Sequence, residues 1–158
     1  MTSVDPLLRD RVAQADPSAV NWTFFRQWLK NPIGIAALSP SSRRLAREMI
    51  GQLPDVPCRV IELGGGTGVF TRALLDRGVL PDDLLVVELN KELHRLLQQR
   101  FPEVNVVRGD ALELKEIIEG EQFGNGGEVD AILSGLGLLS MSRTVQRRIL
   151  SAAFSVLG

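Results

Sequence analysis

Val60-Ile61-Glu62-Leu63-Gly64-Gly65-Gly66-Thr67-Gly68 decides the fold: a short apolar run carrying one acid opens into five residues, four of them glycine. The run Arg59–Leu63 reads as a strand, and the apolar residues Phe70, Leu74 and Leu75 at helical spacing predict a helix over Val69–Arg77. Working outward, Leu84–Glu88 predicts a second strand and Lys91–Phe101 a second helix. Val104–Val107 predicts a third strand, followed by Gly109-Asp110 and a short helix to about Ile118. A turn rich in glycine (Gly120, Gly124, Gly126, Gly127) leads to a fourth strand, Val129–Ser134, and a last helix runs from about Ser142 to Leu157. Almost wholly apolar strands alternating with helices predict an α/β fold whose parallel sheet is covered on both faces. There is no internal repeat.

A chain of 158 residues suffices for one core and is too short for two ordinary domains. With 44% hydrophobic and 23% charged residues, it excludes disordered and fibrous architectures. One cysteine, Cys58, cannot form an internal disulfide, which removes the stapled secreted domains. No apolar run reaches the roughly 18 residues of a spanning helix, so a soluble, cytoplasmic protein is expected. The net charge of −1 conceals a division: residues 1–50 hold seven Lys/Arg against four Asp/Glu, and residues 51–158 hold eleven against fifteen. Four of the eight aromatic residues (Trp22, Phe24, Phe25, Trp28) fall in the basic part. We therefore divide the chain into an arm with N-terminal helices (1–53) and an α/β body (54–158).

In a parallel sheet of this kind, ligands lie beyond the carboxyl ends of the strands. Glycine permits a tight turn and close approach of the backbone, and the following helix presents its N–H groups to the ligand. A dinucleotide fingerprint needs glycine where this chain has Val69, and a Walker A loop needs a Lys-Ser/Thr pair that is absent. Present instead are Glu62 on the strand and G-x-G-x-G at Gly64, Gly66 and Gly68. Glu88 ends the second strand 20 residues after Gly68, where a carboxylate can accept both hydroxyls of an adenosine ribose. Asp110 follows the third strand, where it can receive an adenine amino group. Any one of these acids can equally be a helix cap; all three at successive strands favour a ligand site. No cluster of His, Cys or acids has metal-ligand spacing. His94 reads as a core-edge residue and Cys58 as a buried one.

On these residues the chain resembles class I S-adenosylmethionine-dependent methyltransferases, over residues 58–135. The resemblance implies a Rossmann-like sheet with S-adenosylmethionine as cofactor. Glu62, Gly64, Gly65, Gly66, Thr67 and Gly68 would face its methionine portion, Glu88 with Leu89 its ribose, and Asp110 with Ala111 its adenine. An acid on the first strand suits a cofactor that carries a sulfonium and an ammonium and has no pyrophosphate.

The fourth strand leads into Ser134-Gly135-Leu136-Gly137-Leu138-Leu139-Ser140, without the Asn/Asp-Pro-Pro-aromatic pattern of adenine amino methylation. Together with Phe25–Pro32 and Ser39-Pro40-Ser41-Ser42, it resembles the soluble bacterial phospholipid N-methyltransferases that act on phosphatidylethanolamine and lie near the ribosomal RNA adenine dimethylases. Gly137 stands where that family usually has proline. The resemblance implies attack of a neutral amine on the sulfonium methyl, with the carbonyls around Ser134, Gly135 and Leu136 holding the amine. RNA or a small amine is the alternative acceptor, and a cofactor-binding fold without turnover is the alternative to an enzyme.

Trp22, Phe25 and Trp28 share one arc of a helix whose other side carries Arg26 and Lys30. Such a helix can lie at a membrane surface, which implies an aminophospholipid partner and a peripheral place at the inner membrane face. It can also pack on the sheet as a cover. Arg43, Arg44 and Arg47 form a second basic run, which is either a solvated face or a phosphate site. Four strands are predicted against seven in a complete fold, so a C-terminally truncated sheet is expected, with the fourth strand an exposed apolar edge. Such edges pair, and a homodimer through that edge is the corresponding expectation.

Overall fold

The computed structural model describes residues 40–56, 58–123 and 128–158. The amphipathic helix with Trp22, Phe25, Arg26, Trp28 and Lys30 lies outside them. The first described element is α1 (Pro40–Ile50), followed by β1 (Val60–Leu63) and α2 (Val69–Arg77). Next come β2 (Leu84–Glu88), α3 (Lys91–Arg100) and β3 (Asn105–Arg108). A 3-10 turn at Ala111–Glu113 leads into α4 (Leu114–Glu121), and β4 (Ala131–Ser134) and α5 (Arg143–Phe154) complete the order.

The strands pair wholly in parallel in the order β3-β2-β1-β4, as the alternation of strands and helices predicts. The strand order reverses between β1 and β4, so the crevice for a ligand opens at the carboxyl ends of these two strands. Alternate side chains build two cores. Val60, Leu84, Val86, Ala131 and Leu133 pack with Ile50, Leu74, Leu97 and Phe101 under α1, α2 and α3. Ile61, Leu63, Leu85 and Val87 pack with Leu114 and Ile149 under α4 and α5. Each fully buried Leu or Phe contributes about 1.5–3 kcal/mol, which is why strands with no exposed face form here.

Several boundaries differ from the expectation, each for a local reason. β4 begins at Ala131 because the N–H groups of Asp130 and Ala131 both converge on the Arg59 carbonyl (3.0 and 3.2 Å). The Asp130 carboxylate in turn takes the Arg59 N–H at 2.6 Å, which breaks the ladder for both residues. Val129 instead bridges in parallel to Leu157, so the last helix ends at Phe154 and its successors run beside the sheet. β3 starts at Asn105 because the Val104 N–H turns back to the Phe101 carbonyl at 3.1 Å. The helix expected to end near Ile118 continues to Glu121.

The fourth strand is an edge of the sheet among the described residues, as expected, with its ladder to β1 alone; its side chains are covered, Ala131 and Leu133 being buried and Ile132 and Ser134 half-buried. Arg77, at the end of α2, donates to the carbonyls of Ile50, Leu53 and Pro54. It thereby satisfies the C-terminal end of α1 and ties it to the body. Cys58 is buried, and burial raises its thiol pKa against the pull of Arg77. Arg44 and Arg47 are exposed on α1. No helix among the described residues is long and apolar enough to cross a membrane.

Candidate cofactor-binding site

Glu62 lies inside β1, in register with Val86 on one side and Leu133 on the other. Its side chain is 0% exposed. Thr71, one turn into α2, donates its hydroxyl to Oε2 at 2.7 Å, while Oε1 has no hydrogen-bond partner among the described residues. Burial, reinforced by the nearby Glu88 and opposed by the Thr71 hydroxyl, pushes its carboxyl up to about 8.

The glycine loop leaves β1 directly above. Gly64, Gly66 and Gly68 adopt positive φ (77°, 56° and 81°), the left-handed backbone that side chains resist. Two of the glycines are also required by the core beneath the loop. A Cβ on Gly65 would stand 2.4 Å from Val86 and 2.9 Å from Leu97, and one on Gly68 would stand 2.4 Å from the Phe101 ring. Arg100 donates to the Thr67 carbonyl at 2.7 Å, with its guanidinium 5.9 Å from the Phe101 ring centre; Arg72 lies over that ring at 4.9 Å. The loop is therefore held from beneath by α3.

Glu88 is 7% exposed and faces the same loop. Its Oε2 accepts the Gly66 N–H at 2.9 Å and its Oε1 the Asn90 N–H at 2.8 Å. A carboxylate has about four acceptor positions, so each oxygen retains capacity for a ribose hydroxyl. The next residue, Leu89, is 62% exposed, and Asn90 caps α3 by accepting from Glu92 and Leu93. Asp110 caps its own turn, Oδ1 accepting the Leu112 N–H at 2.9 Å; Ala111 behind it is buried.

At the end of β4, the Gly135 N–H bonds the Leu63 carbonyl at 2.8 Å. A Cβ on Gly135 would lie 2.7 Å from the Gly64 carbonyl oxygen, and the Leu136 side chain sits where a Cβ on Gly64 would be. Ser134, Gly135 and Leu136 thus border the glycine loop at the point where the strand order reverses. The Leu136 carbonyl already accepts the Leu138 N–H, and the Ser134 hydroxyl accepts the Leu136 N–H.

Sequence reasoning missed Thr71 and Arg100. A Thr nine positions after an acid carries no signal, and Arg100 resembles any basic helix end. Asn90, directly before α3, carries the ordinary sequence signal of a helix cap. His94 is half-buried with Nε2 3.2 Å from the Val106 carbonyl, an edge position as expected. No group of His, Cys, Asp or Glu among the described residues can hold a metal. A polar concavity lined by Cys58, Arg59, Asp83, Glu128 and Asp130 opens near the amino-terminal ends of the strands, away from this crevice.

The donor set fits a cofactor with cationic and hydroxyl groups. A buried carboxylate oxygen lacks a partner among the described residues, a second carboxylate retains acceptor capacity, and the loop offers no lysine for a pyrophosphate. The family model described as a methyltransferase domain matches residues 60–158. The ornithine lipid N-methyltransferase of Singulisphaera acidiphila is 34% identical over 140 residues, covering 85% of this chain and 71% of that protein. The ribosomal RNA small subunit methyltransferase A of a Synechococcus strain is 39% identical over 97 residues, covering 58% of this chain and 30% of that protein. The glycopeptide N-methyltransferase MtfA, solved with S-adenosylmethionine, superposes with a TM-score of 0.57 at 18% identity, over 74% of this chain and 50% of that one. The chain belongs to the class I S-adenosylmethionine-dependent methyltransferases, with S-adenosylmethionine as its cofactor.

Proposed function

We propose that this methyltransferase acts on the amine of a lipid headgroup, with phosphatidylethanolamine as the acceptor we test first. The observation that carries this reading is the extent of the lipid-enzyme match. Covering 85% of the chain, it must reach upstream of Pro54, since residues 54–158 make up about two thirds of the sequence. The ribosomal RNA relative matches 58%, no more than a cofactor module requires.

Two features of the acceptor side support a lipid. Leu139, in the turn after β4, is 97% exposed. From Ser134 to Gly158 the chain has no acid, while Arg143, Arg147 and Arg148 on α5 are exposed. In the proposal, Trp22, Phe25 and Trp28 seat the N-terminal helix in the interface, with Arg26 and Lys30 toward anionic headgroups at the inner membrane face.

Bound S-adenosylmethionine supplies a methyl group on a sulfonium. Glu62 and Gly64–Gly68 hold its methionine end, Glu88 and Leu89 its ribose, and Asp110 and Ala111 its adenine. The carbonyls of Ser134 and Gly135 orient the acceptor amine; Leu136 closes the wall against Gly64. Positioning and exclusion of water are the work assigned to these groups.

Transfer of labelled methyl groups from the cofactor to vesicles decides the acceptor. Label in phosphatidylethanolamine supports the proposal. Label only in ornithine lipid keeps the lipid class and moves the headgroup. Label in RNA, with retention that falls steeply with salt, refutes a lipid acceptor; no label anywhere indicates a cofactor-binding fold without turnover. We also propose pairing of two chains along β4, which a concentration-independent monomer mass would exclude.

A further inference from the structure

Glu62 stands where a carboxylate is hardest to keep charged. From β2 it is faced by Val86 and, one step further along the same face, by Glu88; from β4 by Leu133; and from α2 by Thr71. Among the described residues, the charged group acting on it is therefore one of its own sign. The two carboxyl groups are provisioned differently. Among the described residues Glu88 receives two backbone N–H groups, whereas Glu62 receives one hydroxyl and keeps a wholly buried oxygen with no donor. An uncompensated buried carboxylate is costly, and the usual resolution is for the group to take up a proton.

We propose that Glu62 holds a proton in the cofactor-free protein and surrenders it to solvent when a cationic group of the cofactor arrives, so that binding exchanges a proton for a cation. The inference rests on the assignment of Glu62 to the methionine end of the cofactor. One O–H bond breaks, the proton leaves to buffer, and no other bond changes. The buried end of the site then carries no unpaired charge in either state. A ligand without a cation leaves Glu62 protonated and gains nothing from it, so the residue selects a cationic cofactor over neutral or anionic nucleotides. The raised Glu62 carboxyl, at about 8, agrees with this geometry.

Two cations can act, the sulfonium and the α-ammonium, and the demethylated product keeps only the second. Calorimetry of the wild-type protein at pH 7, in two buffers of different ionisation enthalpy, reads the protons released. With S-adenosylmethionine we expect roughly one proton per cofactor bound, and an affinity that rises by up to about tenfold per pH unit between pH 6 and 8 and then levels. Release with S-adenosylhomocysteine as well assigns the exchange to the ammonium; release with S-adenosylmethionine alone assigns it to the sulfonium. Binding without proton release overturns the proposal. Glu62→Gln should bind without release. If that variant does not fold, the carboxyl carbon resonances of cofactor-free wild-type protein decide the resting state. One glutamate titrating near 8 is expected, and all carboxyls titrating below about 5 overturns it. Failure to bind cofactor while one carboxyl titrates near 8 refutes the site assignment and the exchange, and leaves only the resting proton.

Discussion

The Glu88 carboxylate accepts the Gly66 N–H at 2.9 Å, so the end of β2 is fastened to the loop that leaves β1. The same side chain holds the Asn90 N–H at the start of α3. Glu88→Ala removes a group assigned to the ribose and orphans two N–H donors, each worth about 1–3 kcal/mol when buried and unpaired. We expect cofactor affinity to fall by at least about tenfold in calorimetry, with a loss of stability of at least about 1–3 kcal/mol, and Glu88→Gln to lie between the two proteins.

Gly68→Ala meets a positive φ of 81° and the Phe101 ring at 2.4 Å. Overpacking and strain of this kind cost about 1–3 kcal/mol each. Denaturant unfolding should show a loss of that size. Gly120→Ala is the internal control: it lies in α4 with nothing within 4 Å of the added carbon. That change should be neutral or stabilise by about 0.5–1 kcal/mol.

Arg77→Met keeps much of the apolar stem but withdraws the donors from the Ile50, Leu53 and Pro54 carbonyls. Hydrogen bonds from a charged donor are worth about 1.5–3 kcal/mol. The expected outcome is lowered stability, with amide exchange quickened over residues 44–53 before it changes in the sheet. Uniform quickening across the chain would contradict a local clamp.

The Glu62 carboxyl is raised from an ordinary 4.5 to about 8. Between those values the folded chain binds one proton more than the unfolded chain at this group, so stability falls as pH rises through that window. The slope is at most about 1.4 kcal/mol per pH unit for one group. Subtracting the profile of Glu62→Gln from that of the wild-type protein isolates it; parallel profiles would show that Glu62 is ionised throughout.

Arg100→Met should weaken cofactor binding several-fold, about 1 kcal/mol, by freeing the Thr67 carbonyl. Arg100→Lys can restore one donor and should recover part of the loss.

Much of this was legible in the chain. The limits of α2 and β2 follow from runs of residues that leave no alternative, Val69–Arg77 between glycines and five apolar or acidic residues at Leu84–Glu88. The three acids were visible because a carboxyl group beside a buried strand is conspicuous. What stayed hidden depends on contacts distant in sequence. The roles of Gly65 and Gly68 are set by Val86, Leu97 and Phe101, and the start of β4 by a bond between Arg59 and Asp130, 71 residues apart. A glycine's sequence context cannot say whether the space it leaves belongs to a ligand or to a neighbouring ring.

Phe101 is completely buried, yet it shapes the loop above it through Gly68 and is flanked by Arg72 and Arg100. Folding and ligand capture therefore share a component in this protein. A substitution under the loop will surface in a binding screen as though it had struck the ligand. Weakened affinity in a variant of α3 consequently identifies a support of the site, and only paired measurements of stability and affinity separate the supports from the residues that touch the cofactor.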